Sequence, residues 1–594
     1  MTEAKARARD FADVGTECGN GAILEAFDRA EPQAQFPPGF TMSSRGLLFV
    51  GKDEVHHIAG RFEVVAQTRD RHSNSWGILL RWCDDDGQLH QVSIGRASMA
   101  ADGREVRQAL LDGGLYVSPY PRDRNSLQTF LASVKIERRA RAVSRVGWQD
   151  GQFALPDRTI GSESSDLVVY QGSAMIDHDY RMTGSLEGWQ SSVARFGIGN
   201  SRIALAICAG FVGPLLNRVG GEGGGIHLRG ASSIGKSTAL LAAASIWGPD
   251  AFVRQWRATA NGLEGVAELS NETLLVLDEL AQLDPREAGS IAYLLANGCG
   301  KSRASQTGEA RAAKRWLTFF LSSGEVSLAE HARSDGRGRR SPAGQEVRIL
   351  DIEADAGSGL GLFEDLHGLP NGDALARAIK SGCADHHGVA GPEFLARLIA
   401  DPDDYAQEIR RGIDKFAADV LPKDATGQVS RTCRRFALIA MAGEIATHLG
   451  ILPWTRGEAV KAAKVVWISW LEARGGAGAS EDLAAIEQVK EFLSMHGASR
   501  FQRLRGDRET IIPNRAGFWR EDQPGAREYL ITASTWTNDV CRGLPPQAVA
   551  RLLLELGHLI PDGAGKLSQP ITAPGMKKAR FYVVKESIFG GGDV

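Results

Sequence analysis

The segment Gly230-Ala-Ser-Ser-Ile-Gly235-Lys236-Ser237-Thr238 restricts the fold of this chain more than any other. It follows a short apolar run, Ile226-His-Leu228, and precedes an alanine- and leucine-rich stretch. The order predicts a strand, a glycine loop and a helix from Ser237 to Trp247. Glycines let the loop backbone curl until its N–H groups point inward, and the following helix turns its positive end to the same point. Such a loop is built for phosphate. Backbone groups of Gly230, Ser232, Ser233, Ile234, Gly235 and Thr238 would line it, with Lys236 reaching the β- and γ-phosphates and Ser237 a ligand for Mg²⁺. The expected cofactors are ATP and Mg²⁺.

A second apolar run, Thr273-Leu-Leu-Val-Leu277, ends in Asp278-Glu279. Carboxylates at the end of a buried strand beside a phosphate loop suit the metal (Asp278) and the attacking water (Glu279). The interval between Lys236 and Asp278 leaves room for a helix, a second strand and a further helix. A third run, Leu317-Thr-Phe-Phe-Leu-Ser322-Ser323-Gly-Glu325, ends in small hydroxyl residues. In ring-forming ATPases this place holds a polar sensor of the γ-phosphate; Ser323 is the candidate and Ser322 its rival. Beyond it, Arg348 precedes another apolar strand and is the candidate for an arginine acting on a neighbouring subunit's phosphate, with Arg337, Arg339 and Arg340 as rivals.

Between the acidic pair and the sensor run lies a segment, Lys301 to Arg315, with five positive residues and one negative. Gly298, Gly300 and Gly308 suit a protruding hairpin. In a ring it would face the central channel, where Lys301, Arg303, Arg311 and Lys314 can grip DNA phosphates without reading bases. A net charge of −3 rules out a uniformly basic coat, so any nucleic-acid contact must be local.

The rest of the chain reads as several folded units, since one core rarely serves 594 residues. Residues 1–39 are expected to be a flexible segment. Residues 40–185 read as a β-rich domain, because Asp86-Gly87 and Asp150-Gly151 each separate two apolar runs, as in hairpins. Residues 186–355 form the α/β core, with a helical pattern from Ile203 to Leu216 at its start. Residues 356–473 read as a helical domain. After the glycine-rich linker near 474–480, residues 481–594 read as an α+β unit whose helix Pro545–Leu556 and strand Arg580–Val584 hint at a winged helix. The fold class is therefore multidomain α/β with a P-loop, AAA+-like core. The seven cysteines are scattered without a CxxC pair, and no apolar run approaches the ~20 residues of a membrane span. The expectation is a cytoplasmic protein with no membrane partner.

The chain resembles the phage, plasmid and mobile-element proteins that carry domain of unknown function 927, described as helicase-like. The resemblance runs from about Trp76 to Ile352, through Val146-Gly-Trp148, Phe153-Ala-Leu-Pro-Asp157, the glycine loop, Trp256-Arg-Ala-Thr259, Asn261-Gly-Leu-Glu264, Leu277-Asp-Glu-Leu280, Asn297-Gly-Cys-Gly-Lys301 and Leu321-Ser-Ser-Gly-Glu325. It implies kinship with superfamily III and minichromosome-maintenance-type helicases, hexameric assembly, translocation on single-stranded or forked DNA, and replication partners of a mobile element. One departure stands out: superfamily III sensors usually carry asparagine, whereas here Ser322 and Ser323 stand at that place. The reading from another class is an ATP-switched assembly or loading factor that separates no strands. Both readings need Lys236 and Asp278; only the motor needs Lys301 and Arg303.

Overall fold

The computed structural model describes residues 34–590, apart from 53, 88, 101, 162–166, 172–177, 258, 301–302, 305–309, 312, 335–347, 404, 424, 475–479, 506–511 and 522–525. Most of the expected flexible start, most of the expected linker, and Arg337, Arg339 and Arg340 lie outside the described residues. The chain divides into two compact units, one of 1–332, 348–418 and 434–466, the other of 333–347, 419–433 and 467–594.

The first unit begins with three small sheets. Strands Phe40–Ser43, Gly46–Val50 and Val55–Ala59 form an antiparallel meander. A mixed five-stranded sheet follows, in the order Leu167–Tyr170, Arg139–Val143, Glu63–Arg69, Gly77–Cys83, Leu89–Gly95. Both expected hairpins are present. The Asp150-Gly151 turn joins Gly147–Gln149 to Gln152–Ala154 with φ of 49° and 86°, the left-handed pair that a two-residue hairpin of matching twist requires. The region is nevertheless not simply β-rich. Helices Arg96–Ala100, Arg104–Asp112 and Pro121–Ser133 bury Val106, Leu110, Leu127 and Phe130 in the same core as Leu47, Ile58 and Trp82.

The helical pattern over 203–216 is two helices, Ser201–Gly210 and Gly213–Val219, bent by 66°. Pro214 cannot donate to the preceding turn and starts the second helix instead. Gly213 lies so close to the main chain of Thr273 that a Cβ there would sit 2.2 Å from its carbonyl oxygen.

The central sheet has five parallel strands: β1 (Gly224–Arg229), β2 (Val253–Gln255), β3 (Leu274–Asp278), β4 (Phe319–Gly324) and β5 (Ile349–Glu353). Their spatial order is β2-β3-β4-β1-β5. Strands covered on both faces read as continuous apolar runs, which is why β3 and β4 were legible. Helix α1 (Lys236–Ala244) follows β1, ending three residues before the expected Trp247; α2 (Ala260–Leu269) and α3 (Pro285–Asn297) follow β2 and β3. The order inserts β4 between β1 and β3, and open parallel sheets bind ligands outside the carboxyl ends of such strands.

The helical region comprises Gly372–Asp385, Ala390–Ala400, Tyr405–Val420, Gly427–His448 and Glu458–Ala473. The second unit has a sheet in the order Phe501–Arg503, Gly517–Glu521, Arg527–Thr532, Ala579–Lys585, Leu559–Ile560, with Gln569–Ile571 also paired to Ala579–Lys585. Helices Ser480–His496 and Pro546–Glu555 cover one face of it, around Val489, Trp536 and Leu553. Among the described residues no single helix is long and apolar enough to cross a membrane.

Candidate functional site

At the carboxyl end of β1 the chain turns through Gly230 (φ 152°), Ser233 (φ 65°) and Gly235 (φ 105°) before entering α1. Gly230 takes a φ of 152°, which L side chains rarely adopt, so a glycine suits the start of the loop. The Lys236 ammonium donates to the carbonyl oxygens of Gly230 (2.7 Å) and Ala231 (2.6 Å), closing the loop on itself. Burial lowers its pKa, while Glu325 and Asp278 pull the other way. The N-terminal turn of α1, Lys236 included, thus presents positive charge at the loop mouth.

Asp278, at the end of β3, joins the first turn of α1 to the end of β4. One of its oxygens accepts from Ser237 Oγ at 3.2 Å; the other accepts from Ser323 Oγ and from the Glu279 N–H at 3.0 Å. The loop helix, β3 and β4 therefore meet on one carboxylate. Glu279 has φ 58°, a left-handed conformation that costs a non-glycine residue about 1–3 kcal/mol and is found at sites held in place by their surroundings. Its carboxylate accepts from the Gln282 side-chain amide.

Ser322 and Ser323 have different work. Ser322 Oγ accepts from Trp256 Nε1 (2.9 Å) and lies 2.9 Å from His227 Nδ1, with His227 Nε2 3.0 Å from the Val326 carbonyl. Burial holds His227 at about 4, hence neutral at physiological pH, so its Nε2–H donates to Val326 and its Nδ1 accepts from Ser322. That relay ties β1, β2 and β4 together inside the core. Ser323 alone faces Asp278.

The basic segment is a hairpin at its base. Arg303–Ala304 pairs antiparallel with Ala310–Arg311, and below that rung the Gly300 N–H donates to Lys314 O and the Trp316 N–H to Gly298 O. Lys301 and the tip lie outside the described residues. Lys314 is bound to Glu268 at 2.6 Å. The hairpin springs from the amino end of β4, the opposite sheet edge from the phosphate loop. Arg348 stands at that same far edge, beside Asn297 (3.4 Å), the Tyr293 ring and Glu222 (3.8 Å), well away from its own chain's Lys236.

Residues to which the sequence reading gave no role at the site complete the region. Glu325 acts on Lys236 from the turn after β4. The Leu362 N–H donates to Ile234 O (2.8 Å), and Phe363 lies against Gly235, so residues 360–363 pack on the loop. At the far edge, Val146-Gly-Trp148 docks on Asn271-Glu272. The Trp148 N–H donates to Glu272 (2.7 Å), and Asn271 donates to Val146 O (2.6 Å) while accepting from the Leu317 N–H (2.7 Å). Burial raises the Glu272 pKa, against the bond from Trp148. No spacing rule marks these contacts, because they join segments far apart in the chain.

No curated protein matches this chain. Over 93% of its length and 99% of the other's, the fold is similar to a solved structure described as "SCCmec type IV Cch - active helicase", at 19% identity and a TM-score of 0.65. At that identity the likeness is one of fold. A family model described as domain of unknown function, DUF927, matches residues 44–315. The match starts before Trp76 and stops short of β4, so Leu321-Ser-Ser-Gly-Glu325 falls beyond it. Over residues 44–315, from the first meander to the base of the basic hairpin, this chain is similar to the DUF927 family model.

Proposed function

We propose that the chain is an ATP-hydrolysing, ring-forming DNA helicase or translocase serving replication of a mobile element. The observation that carries the reading is Asp278 holding Ser237 and Ser323 together beside Lys236, at the carboxyl ends of three adjacent strands. Phosphoryl transfer needs little more of a protein than positioning and charge at such a place. The loop from Gly230 to Thr238 is a cradle for the triphosphate. Ser237 and Asp278 are the residues that would hold magnesium, whose charge offsets that of the phosphates. Glu279 orients and accepts a proton from the attacking water, and Ser323 senses the terminal phosphate through Asp278. Arg348, remote from its own loop, serves the next subunit of a hexamer. The hairpin bearing Lys301, Arg303 and Arg311 grips single-stranded or forked DNA, with Lys314 bracing its base.

The domain reading goes with this: an N-terminal domain at 40–185, a P-loop core at 186–355, a helical domain at 356–473 and a terminal domain at 481–594. In the last, the succession of helix Ser480–His496, strand Arg527–Thr532, helix Pro546–Glu555, and strands Leu559–Ile560 and Ala579–Lys585, with the last strand central among the three, supports a winged helix. The likeness of fold to the SCCmec helicase and the DUF927 domain support the motor and its setting.

The test is ATP turnover by size-defined oligomers, with and without single-stranded DNA, together with unwinding of a forked duplex. Stimulation by DNA and strand separation are expected. Turnover indifferent to DNA, with no unwinding, would assign the chain to the ATP-switched loaders instead.

A further inference from the structure

Resting on the DNA-motor reading, and extending it to a second surface, we propose that the N-terminal domain binds single-stranded DNA by stacking bases on Tyr116 and Tyr120. Aromatic rings of soluble proteins are usually covered, yet Tyr116 is 48% exposed and Tyr120 68% exposed. Both are held on fixed backbone. The Tyr116 carbonyl accepts from the Gly60 N–H (2.8 Å), Val117 bridges to Ala59, and the Ser118 N–H donates to Ile58 O (2.9 Å). Tyr120 caps helix Pro121–Ser133, with Pro121 as the first helical residue. Val117 and Ser118 are buried between the two rings, so the segment is anchored from beneath while the rings stand out. Little conformational freedom remains to be lost on binding.

One stack is already formed. The exposed His57 ring lies 5.0 Å from that of Tyr116 at an interplanar angle of 13°, and its Nε2 is 3.0 Å from the Arg45 carbonyl. A nucleobase adds to such a pair as a further layer. Exposed cations come from the same segments: Arg45, whose carbonyl meets His57; Arg61, next to Gly60; and Arg122, two residues past Tyr120. The two neighbouring carboxylates are engaged: Glu54 by Arg122 (2.8 Å) and His56 (2.9 Å), and Asp123 by Ser118 (2.5 Å). Tyr116 is stacked by a histidine, and Tyr120 stands in the chain between Pro119 and Pro121 with Arg122 next, a setting that suits a polyanion with flat bases. A single strand offers open base faces; a duplex hides them.

The experiment measures binding of a labelled thirty-residue oligothymidylate to the full chain by fluorescence anisotropy, with the thermal midpoint as the check on folding. The Tyr116→Ala, Tyr120→Ala double variant should weaken binding about tenfold for each ring lost, with the salt slope unchanged because no phosphate contact is removed. The corresponding double phenylalanine variant should bind like the parent, since stacking needs the ring and not the hydroxyl. Arg61→Glu should lower the salt slope by about one. Photocrosslinking of the parent chain to an iododeoxyuridine oligonucleotide should label residues 115–122 and decides the matter should the alanine variant misfold. Unchanged affinity of a folded alanine variant, equal loss in the phenylalanine variant, or crosslinks confined elsewhere would overturn the surface while leaving the motor reading intact. Failure of the parent chain to bind any oligonucleotide would overturn both.

Discussion

At the level of single residues, two adjacent serines show how far a sequence can be read. The pair Ser322-Ser323 was legible as the polar end of an apolar strand, but alternation along a strand sends neighbours to opposite faces, and only packing decides which face is which. Ser322 is fully buried in the Trp256 and His227 relay. Ser322→Ala leaves those groups without their partner and should cost about 1–3 kcal/mol of stability in denaturant unfolding. Ser323→Ala should leave stability nearly unchanged and reduce ATP turnover instead. Lys236→Ala should abolish turnover, and Glu279→Gln should spare nucleotide binding while stopping hydrolysis, because an amide cannot accept the proton. Substantial turnover in both would remove this site as the engine. A pH effect belongs at this scale too. Burial lifts the Asp351 carboxyl to about 7 despite Arg229 at 3.1 Å, and one of its oxygens has no hydrogen-bond partner. The folded pKa lies above the unfolded value of about 3.9, so the folded chain holds the proton more tightly and stability falls as pH rises between the two. The denaturant midpoint should drop from pH 5 to pH 8, and Asp351→Asn should flatten that drop.

Among elements, local rules served wherever the deciding contacts were local. The glycine loop, β3, the Asp150-Gly151 turn and the paired base of the basic hairpin all follow from spacing and turn chemistry. The three helices between Arg96 and Ser133 escaped notice, since helix Arg104–Asp112 starts at a left-handed glycine with no side-chain cap and the neighbouring turn signals point to hairpins. The break at Phe211-Val212 was hidden by unbroken apolar character on both sides, although Pro214 announces it. The hairpin precedes β4 in the chain and so hangs from its foot, the end away from the phosphate loop. Replacing Lys301 and Arg303 by alanine should still lower the salt slope of DNA binding by about one per residue and cost unwinding, with basal turnover retained. Wild-type unwinding at unchanged DNA affinity would reduce the hairpin to a solvated loop.

For the molecule as a whole, the proposed ring requires a contact between copies of the chain, and mixing variants tests it. Arg348 lies at the far edge from Lys236, beside Asn297 and Glu222. Arg348→Ala and Lys236→Ala chains, each inactive, should regain turnover when mixed, because some interfaces then combine an intact loop with an intact arginine. Co-assembly without recovery would pass the role to another residue. The Asn271-Glu272 dock carries a different lesson. Gly147 sits against it with φ 117°, and a Cβ there would fall 2.1 Å from the Glu272 carboxylate. Asn271 meanwhile fastens the amino ends of β3 and β4 to each other and to the N-terminal domain. Bonded along their length and joined again at their tips by Ser323 and Asp278, the two strands form one stiff plank rather than two loose ends. A displacement at the phosphate end is therefore expected to tilt the whole plank and to be felt at its foot, where the hairpin and Val146-Gly-Trp148 are both attached.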